Sequence, residues 1–142
     1  MALPRERMDR IINEHFGFEA RDDVDGVVAS LAPGAEHEVV PSPVGKLTDR
    51  GAIRSFYARL FQDLRGQKVT PIRRLYGDDF LVDETLWEGR ITNGRQFLME
   101  GRSGPVSFRL LHVFELDGDK IKSEAVWCDL AAIQKQLGGA PA

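Results

Sequence analysis

Apolar residues fall at helical spacing in the first half of the chain and alternate in the second. Met8, Ile11, Ile12 and Phe16 share one helical face, with Pro4 tolerated near the start and Gly17 as the stop. A second helix is predicted with Asp22 or Asp23 as N-cap and Val24, Val27, Val28 and Leu31 as its stripe, ended by Pro33-Gly34. After an extended segment from Glu36 to Val40, the run Pro41-Ser42-Pro43-Val44-Gly45 reads as loop, because two prolines bar regular pairing. Thr48 is placed as the cap of a third helix with the stripe Ile53, Phe56, Tyr57, Leu60 and Leu64, closed by Gly66.

From Lys68 onward the pattern becomes that of strands: Val69 to Tyr76, Asp79 to Glu88, Gln96 to Glu100, Val106 to Leu116 and Lys120 to Cys128. Gly-Asp, Asn-Gly, Ser-Gly-Pro and Asp-Gly turn signals separate them. A last helix is predicted from Leu130 to Leu137, with Asp129 as its N-cap and Gly138 just past its end; Gly139 to Ala142 read as a frayed tail. Helices first and strands afterwards argue for an α+β fold, with helices over one face of a curved antiparallel sheet.

A length of 142 residues fits one domain over residues 1–142, with an ordered core from about 5 to 138. A net charge of −3 gives no basic surface for nucleic acid, and the longest apolar stretches are too short for a membrane span. The Arg- and acid-rich start does not read as a signal peptide, so a cytoplasmic protein is expected. A single cysteine, Cys128, excludes an internal disulfide and any multi-cysteine metal site.

Candidate chemistry lies on the last two strands. Phe108, Leu110, His112, Phe114 and Leu116 share a face that should be buried, so His112 interrupts an apolar row. It is either a satisfied core histidine or an imidazole whose pKa has been moved for function. By simple alternation Ile121, Ser123, Ala125, Trp127 and Asp129 face the helices, opposite Lys122, Glu124, Val126 and Cys128. Asp129 beside Trp127 is then either an acid–base carboxylate raised by desolvation or only the helix cap. Tyr57 and Phe16 join the expected pocket from the helices, and Trp87 is included although the phase of its strand is ambiguous.

Other motifs fail. Gly45-Lys46-Leu47-Thr48 lacks the order of a phosphate loop, and Ser103 and Ser107 lack a nucleophile elbow. His15, His37 and His112 are scattered without metal-ligand spacing, so no metal site and no cofactor are expected; His15 reads as core and Cys128 as packing. The predicted outer face, with Leu111, Val113, Val126 and Cys128, is apolar enough to imply burial against a twin subunit.

The order of elements from Met8 to Gly138, with the helix Asp49-Arg50-Gly51-Ala52-Ile53-Arg54-Ser55-Phe56-Tyr57, resembles the nuclear-transport-factor-2 fold, an NTF2-like cone. The closing segment, Asp129-Leu130-Ala131-Ala132-Ile133-Gln134-Lys135-Gln136-Leu137-Gly138, and the hairpin around Asp117-Gly118 are similar to those of SnoaL-like polyketide cyclases. That resemblance implies a cofactor-free cyclase or isomerase for a small apolar or aromatic molecule, closing a ring by intramolecular aldol chemistry. It implies Asp129 as acid–base residue and a homodimer formed through the sheet; His112 is the best candidate for the donor to a developing enolate oxygen. The chain departs from the family at Arg90-Ile91, where Thr-His is common, which points to a different substrate or a lost activity. A binding module without turnover is the competing reading. A ketosteroid-isomerase reading is weakened because the only tyrosines are Tyr57 and Tyr76, and an epoxide-hydrolase reading because no predicted strand contains Arg-x-Asp.

Overall fold

The computed structural model describes residues 2–138, so the expected frayed tail lies outside the described residues. The elements run α1 (Arg5–Ala20), α2 (Val24–Ala29), β1 (Leu31–Val40), β2 (Lys46–Leu47), α3 (Arg50–Asp63), β3 (Leu64–Tyr76) and β4 (Phe80–Ile91). A 3-10 turn (Arg95–Phe97), β5 (Gly104–Asp117), β6 (Lys120–Cys128) and α4 (Leu130–Gln136) complete the fold. The six strands form one sheet in the order β2-β1-β6-β5-β4-β3. Every pairing is antiparallel except β1 with β6, so the sheet is mixed rather than wholly antiparallel as expected. Those two strands lie far apart in sequence, and no hairpin dictates their relative direction.

Several boundaries differ from the sequence pattern for local reasons. Gly17 is absorbed into α1, which continues through Ala20. Asp23 caps α2 by accepting from the Gly26 amide at 2.9 Å, but Leu31 already belongs to β1, and Pro33-Gly34 falls in an irregular stretch between Leu31 and Glu36. Asp49, not Thr48, caps α3, accepting from the Ala52 amide at 2.8 Å. Leu64 ends the helix in extended conformation and starts β3, so Gly66 lies within a strand. The predicted strand Gln96 to Glu100 is not one: Phe97 is buried in a 3-10 turn, and Arg95 makes a paired contact with buried Asp63 at 2.7 and 2.8 Å.

Two apolar clusters fill the space between helices and sheet. One joins Met8, Ile12, Val27, Ile53, Tyr57, Leu81, Phe114 and Ile121; the other joins Ile91, Phe97, Val106, Phe108, Ile133 and Leu137 near α4. Among the described residues, no helix is long and apolar enough to cross a membrane.

The feature that governs the site is a bulge in β6. Leu116 pairs with Ile121, but Glu115 pairs with Ser123, so β6 spends one extra residue, Lys122, against a single step of β5. Side-chain phase reverses there. Ile121 is buried, and after the bulge the inward track is buried Glu124 with half-buried Val126 and Cys128, while Trp127 stands 51% exposed on the outer face.

Candidate functional site

Five elements carry polar side chains into the interior beside the first apolar cluster. On α1 the spacing Met8, Ile12, His15, Glu19 follows the buried face, so His15 is fully enclosed and Glu19 follows one turn later. Strand β1 contributes His37, paired in register with Glu124 of β6. Strand β5 contributes His112, and α3 contributes Tyr57. His15, His37, His112, Tyr57 and Glu124 are all buried. The three histidines, far apart along the chain, converge on one carboxylate.

Glu124 is the hub. Tyr57 Oη donates to its Oε1, and the His15, His37 and His112 Nε2 atoms lie 3.3, 3.7 and 3.8 Å from its oxygens. Burial alone would raise the Glu124 carboxyl, but the charged His15 ring, its hydrogen bond and the other two imidazoles reverse this and hold it well below the usual carboxylate range. Burial disfavours a charged His15, yet Glu124 and Glu19 outweigh it and raise the ring to about 9. Burial of Glu19, opposed by His15 and aided by Glu124, moves its carboxyl upward. Tyr57 is raised by burial and by the adjacent carboxylates.

His112 behaves differently. Burial lowers it to about 4, Glu124 opposing and His15 assisting, so its ring is neutral near pH 7. Phe114 stacks on it at 5.4 Å between centroids and Phe16 meets it edge-on at 5.0 Å. Its Nε2 is turned to Glu124, whereas its Nδ1 is buried without a hydrogen-bond partner. Directly opposite on β4 is Asp83, whose Oδ2 accepts from Arg74 Nε at 2.8 Å and whose Oδ1 likewise lacks a partner.

The other predicted site residues divide. Phe108 is buried with Trp87 against it at 5.3 Å, and Leu110 is half-buried on the same face, which settles the phase of β4 as Leu81, Asp83, Thr85 and Trp87 inward. Trp127 and Asp129 are not on that face, because the Lys122 bulge rotates them out. Asp129 is exposed and its Oδ1 accepts from the Ala132 amide at 3.1 Å as the cap of α4. Trp127 stands on the outer face and so does not join His112 and the α3 stripe, and the rings of Phe16, Tyr57 and Phe114 pack around His15 and His112. An open groove of about 550 Å³ lies on the helix side, between Val24 and Phe61.

Glu124, His37, Glu19 and Asp83 were not legible as site residues. The signal for Glu124 was the change of track within β6, from Ile121 on odd positions to Val126 and Cys128 on even ones. His37 and His15 become site residues only through the register of β1 with β6 and the seating of α1.

Comparison with known proteins agrees with this architecture. No curated protein matches the sequence. A Shewanella putrefaciens protein assigned as a SnoaL-like polyketide cyclase superposes with a TM-score of 0.77 at 14% identity, over 96% of this chain and 98% of that one. A Catenulispora acidiphila protein of ketosteroid isomerase-like fold, solved in complex with trimethylamine, gives a TM-score of 0.73 at 17% identity, covering 90% and 92%. An M. tuberculosis LEH-like epoxide hydrolase gives 0.71 at 18% identity, covering 96% and 93%. These similarities establish a shared fold. The family model for the SnoaL-like domain matches residues 12–124, which takes in the second half of α1, all of α3, the whole His-Glu centre and most of the sheet; the chain belongs to the SnoaL-like domain family.

Proposed function

We propose that this chain is a small-molecule enzyme of the cyclase or isomerase type whose proton-transferring group is His112. The observation that carries this reading is the state of its two ring nitrogens. Nε2 faces a carboxylate, which favours the tautomer with hydrogen there, and Nδ1 keeps its lone pair buried and unpartnered. A neutral imidazole oriented by a carboxylate through its far nitrogen is the arrangement of a general base.

In this reading Nδ1 takes a proton from a carbon flanked by carbonyls. The enolate carbon then attacks a second carbonyl of the same molecule to close the ring, and Nδ1–H returns its proton to the new alkoxide. The positive charge on the ring in between is compensated by Glu124. A positioned base contributes roughly 100- to 10,000-fold. Phe16, Leu110, Trp87 and Phe108 supply apolar surroundings suited to an aromatic or otherwise apolar ligand. Asp129, which the family resemblance offers as the base, serves here as the α4 cap. The outer face of the sheet is covered by a second copy of the chain.

The test is carbon–hydrogen exchange. Aryl 1,3-diketones incubated with the protein in D2O are followed by proton NMR for loss of the central C–H signal above the buffer rate. His112→Asn should abolish the protein-dependent rate and Asp129→Asn should leave it unchanged. If Asp129→Asn alone removed it, the base would be Asp129. If ligands quenched tryptophan fluorescence but no diketone exchanged, the non-catalytic binding module would replace this reading.

A further inference from the structure

Three carboxylate oxygens surround His15 Nε2, and their distances indicate what the group can hold. Ser30 Oγ donates its only hydrogen to the Val27 carbonyl at 2.5 Å, so toward His15 Nδ1, 2.8 Å away, it can only accept. Nδ1 therefore bears a hydrogen. A neutral His15 would then aim the Nε2 lone pair at Glu124 Oε1 at 3.3 Å, Glu124 Oε2 at 3.4 Å and Glu19 Oε2 at 3.6 Å, with His15 itself fully buried. Such an arrangement is repulsive. A proton on Nε2, a proton on the raised Glu19 carboxyl or a metal ion held between them relieves it.

A proton would draw one carboxylate oxygen in to about 2.7–2.9 Å, the length of a charge-assisted hydrogen bond. The His15–Glu124 hydrogen bond is longer, 3.4 Å, and the three oxygens lie together at 3.3 to 3.6 Å. That is about the 3.3–3.6 Å that separates two donor atoms bound tetrahedrally to one ion at 2.0–2.2 Å from each. The donor atoms of His15, Glu19 and Glu124 all lie within 4.8 Å of one another. The outer contacts fit too: a ligating imidazole usually donates its other N–H to an oxygen, as His15 does to Ser30, and the ligating carboxylate is itself hydrogen-bonded, as Glu124 is by Tyr57.

We infer that His15 Nε2, Glu19 and Glu124 form a binding site for one divalent transition-metal ion. One imidazole and two carboxylates suit zinc, cobalt or manganese, balance the charge of a dication, and leave a coordination position for water or a substrate oxygen. The site shares Glu124 with the reading of His112, but the two ideas fail separately, because this one is read from metal binding and the other from carbon–hydrogen exchange.

The experiment takes the chelator-stripped chain, titrates it with Zn2+ by calorimetry, and records the visible spectrum of the Co2+ adduct. One ion should bind per chain in the micromolar range, with intense Co2+ bands of a four- or five-coordinate site. Glu19→Gln should weaken binding roughly tenfold or more, and His15→Asn should abolish it. Cys128→Ser should leave it unchanged. Glu19 is partly exposed near the end of α1, so its variant keeps the fold and carries the test even if His15→Asn does not. Absence of saturable binding up to millimolar Zn2+ overturns the site. So does affinity unaltered in Glu19→Gln, or lost in Cys128→Ser.

Discussion

Glu124 concentrates the energetic risk of this protein in one side chain. It is buried, it receives the Tyr57 hydroxyl, and it balances the charge next to His15. Removing one partner from a buried ion pair strands the other, at a cost of about 3–5 kcal/mol. Glu124→Gln, nearly the same size, is therefore expected to lower urea-unfolding stability by that order, far more than Asp129→Ala. The latter loses only a cap, about 1 kcal/mol, and Asp129→Asn, which caps as well as Asp, should lose almost nothing. Equal losses for Glu124→Gln and Asp129→Ala would remove Glu124 from the centre of the network.

At the scale of elements, close approach of β3 and β4 rests on Gly89. A Cβ at that position would lie 2.3 Å from the Arg65 carbonyl oxygen, and backbone cannot swing aside as a long side chain can. Gly89→Ala should therefore destabilise the chain by about 1–3 kcal/mol, the range for overpacking, measurable as a lowered Tm. The elements themselves were largely legible. The α3 stripe, the α4 cap at Asp129 and the boundaries of β6 follow from period and cap chemistry, which are local. What could not be read was tertiary: Leu31 is a strand residue because it pairs with Ile121, and Phe97 lies in a 3-10 turn where alternation predicted strand. The site suffered most, since alternation assumes an unbroken ladder and the Lys122 bulge breaks it. His112 lies on the buried face that alternation predicts, because β5 is unbroken where it pairs with β4.

Across the whole molecule, the outer face of the sheet and the tie of α1 to its free edge make separate predictions. Trp127 and Leu75 stand 51% and 52% exposed, and Leu111 and Val113 lie on the same face. A patch of this kind on a solvated sheet favours self-association. Light scattering at micromolar concentration should give twice the 15.9 kDa chain mass, and Trp127→Lys should halve it. On the other side, Asp9 of α1 accepts from Arg74 of β3 at 2.8 Å and from Tyr76 at 2.6 Å. Burial alone would raise the Asp9 carboxyl, but Tyr76, Arg74 and the nearby Arg5 lower it below its ordinary 3.8. Its folded pKa thus lies below the unfolded one, so its contribution is present above pH 3.8 and is lost as pH falls through the folded value. Asp9→Asn should make stability less steep in acid, as seen in urea midpoints from pH 5 down to pH 2.

The bulge at Lys122 also bears on how such a chain changes over time. Point substitution alters one wall residue at a time, whereas losing the single codon for Lys122 would excise the bulge and leave Ser123 opposite Glu115 and Glu124 opposite Phe114. The interior would keep Glu124 and the outer face would keep Trp127, so this is a position where the chain can shorten without exchanging its walls. Loss of a codon within the ladder beyond Lys122 has no such shelter, because it moves every later residue of the strand to the opposite face. A Lys122 deletion variant should therefore fold with tryptophan emission unchanged, and a blue shift would show that Trp127 had turned inward.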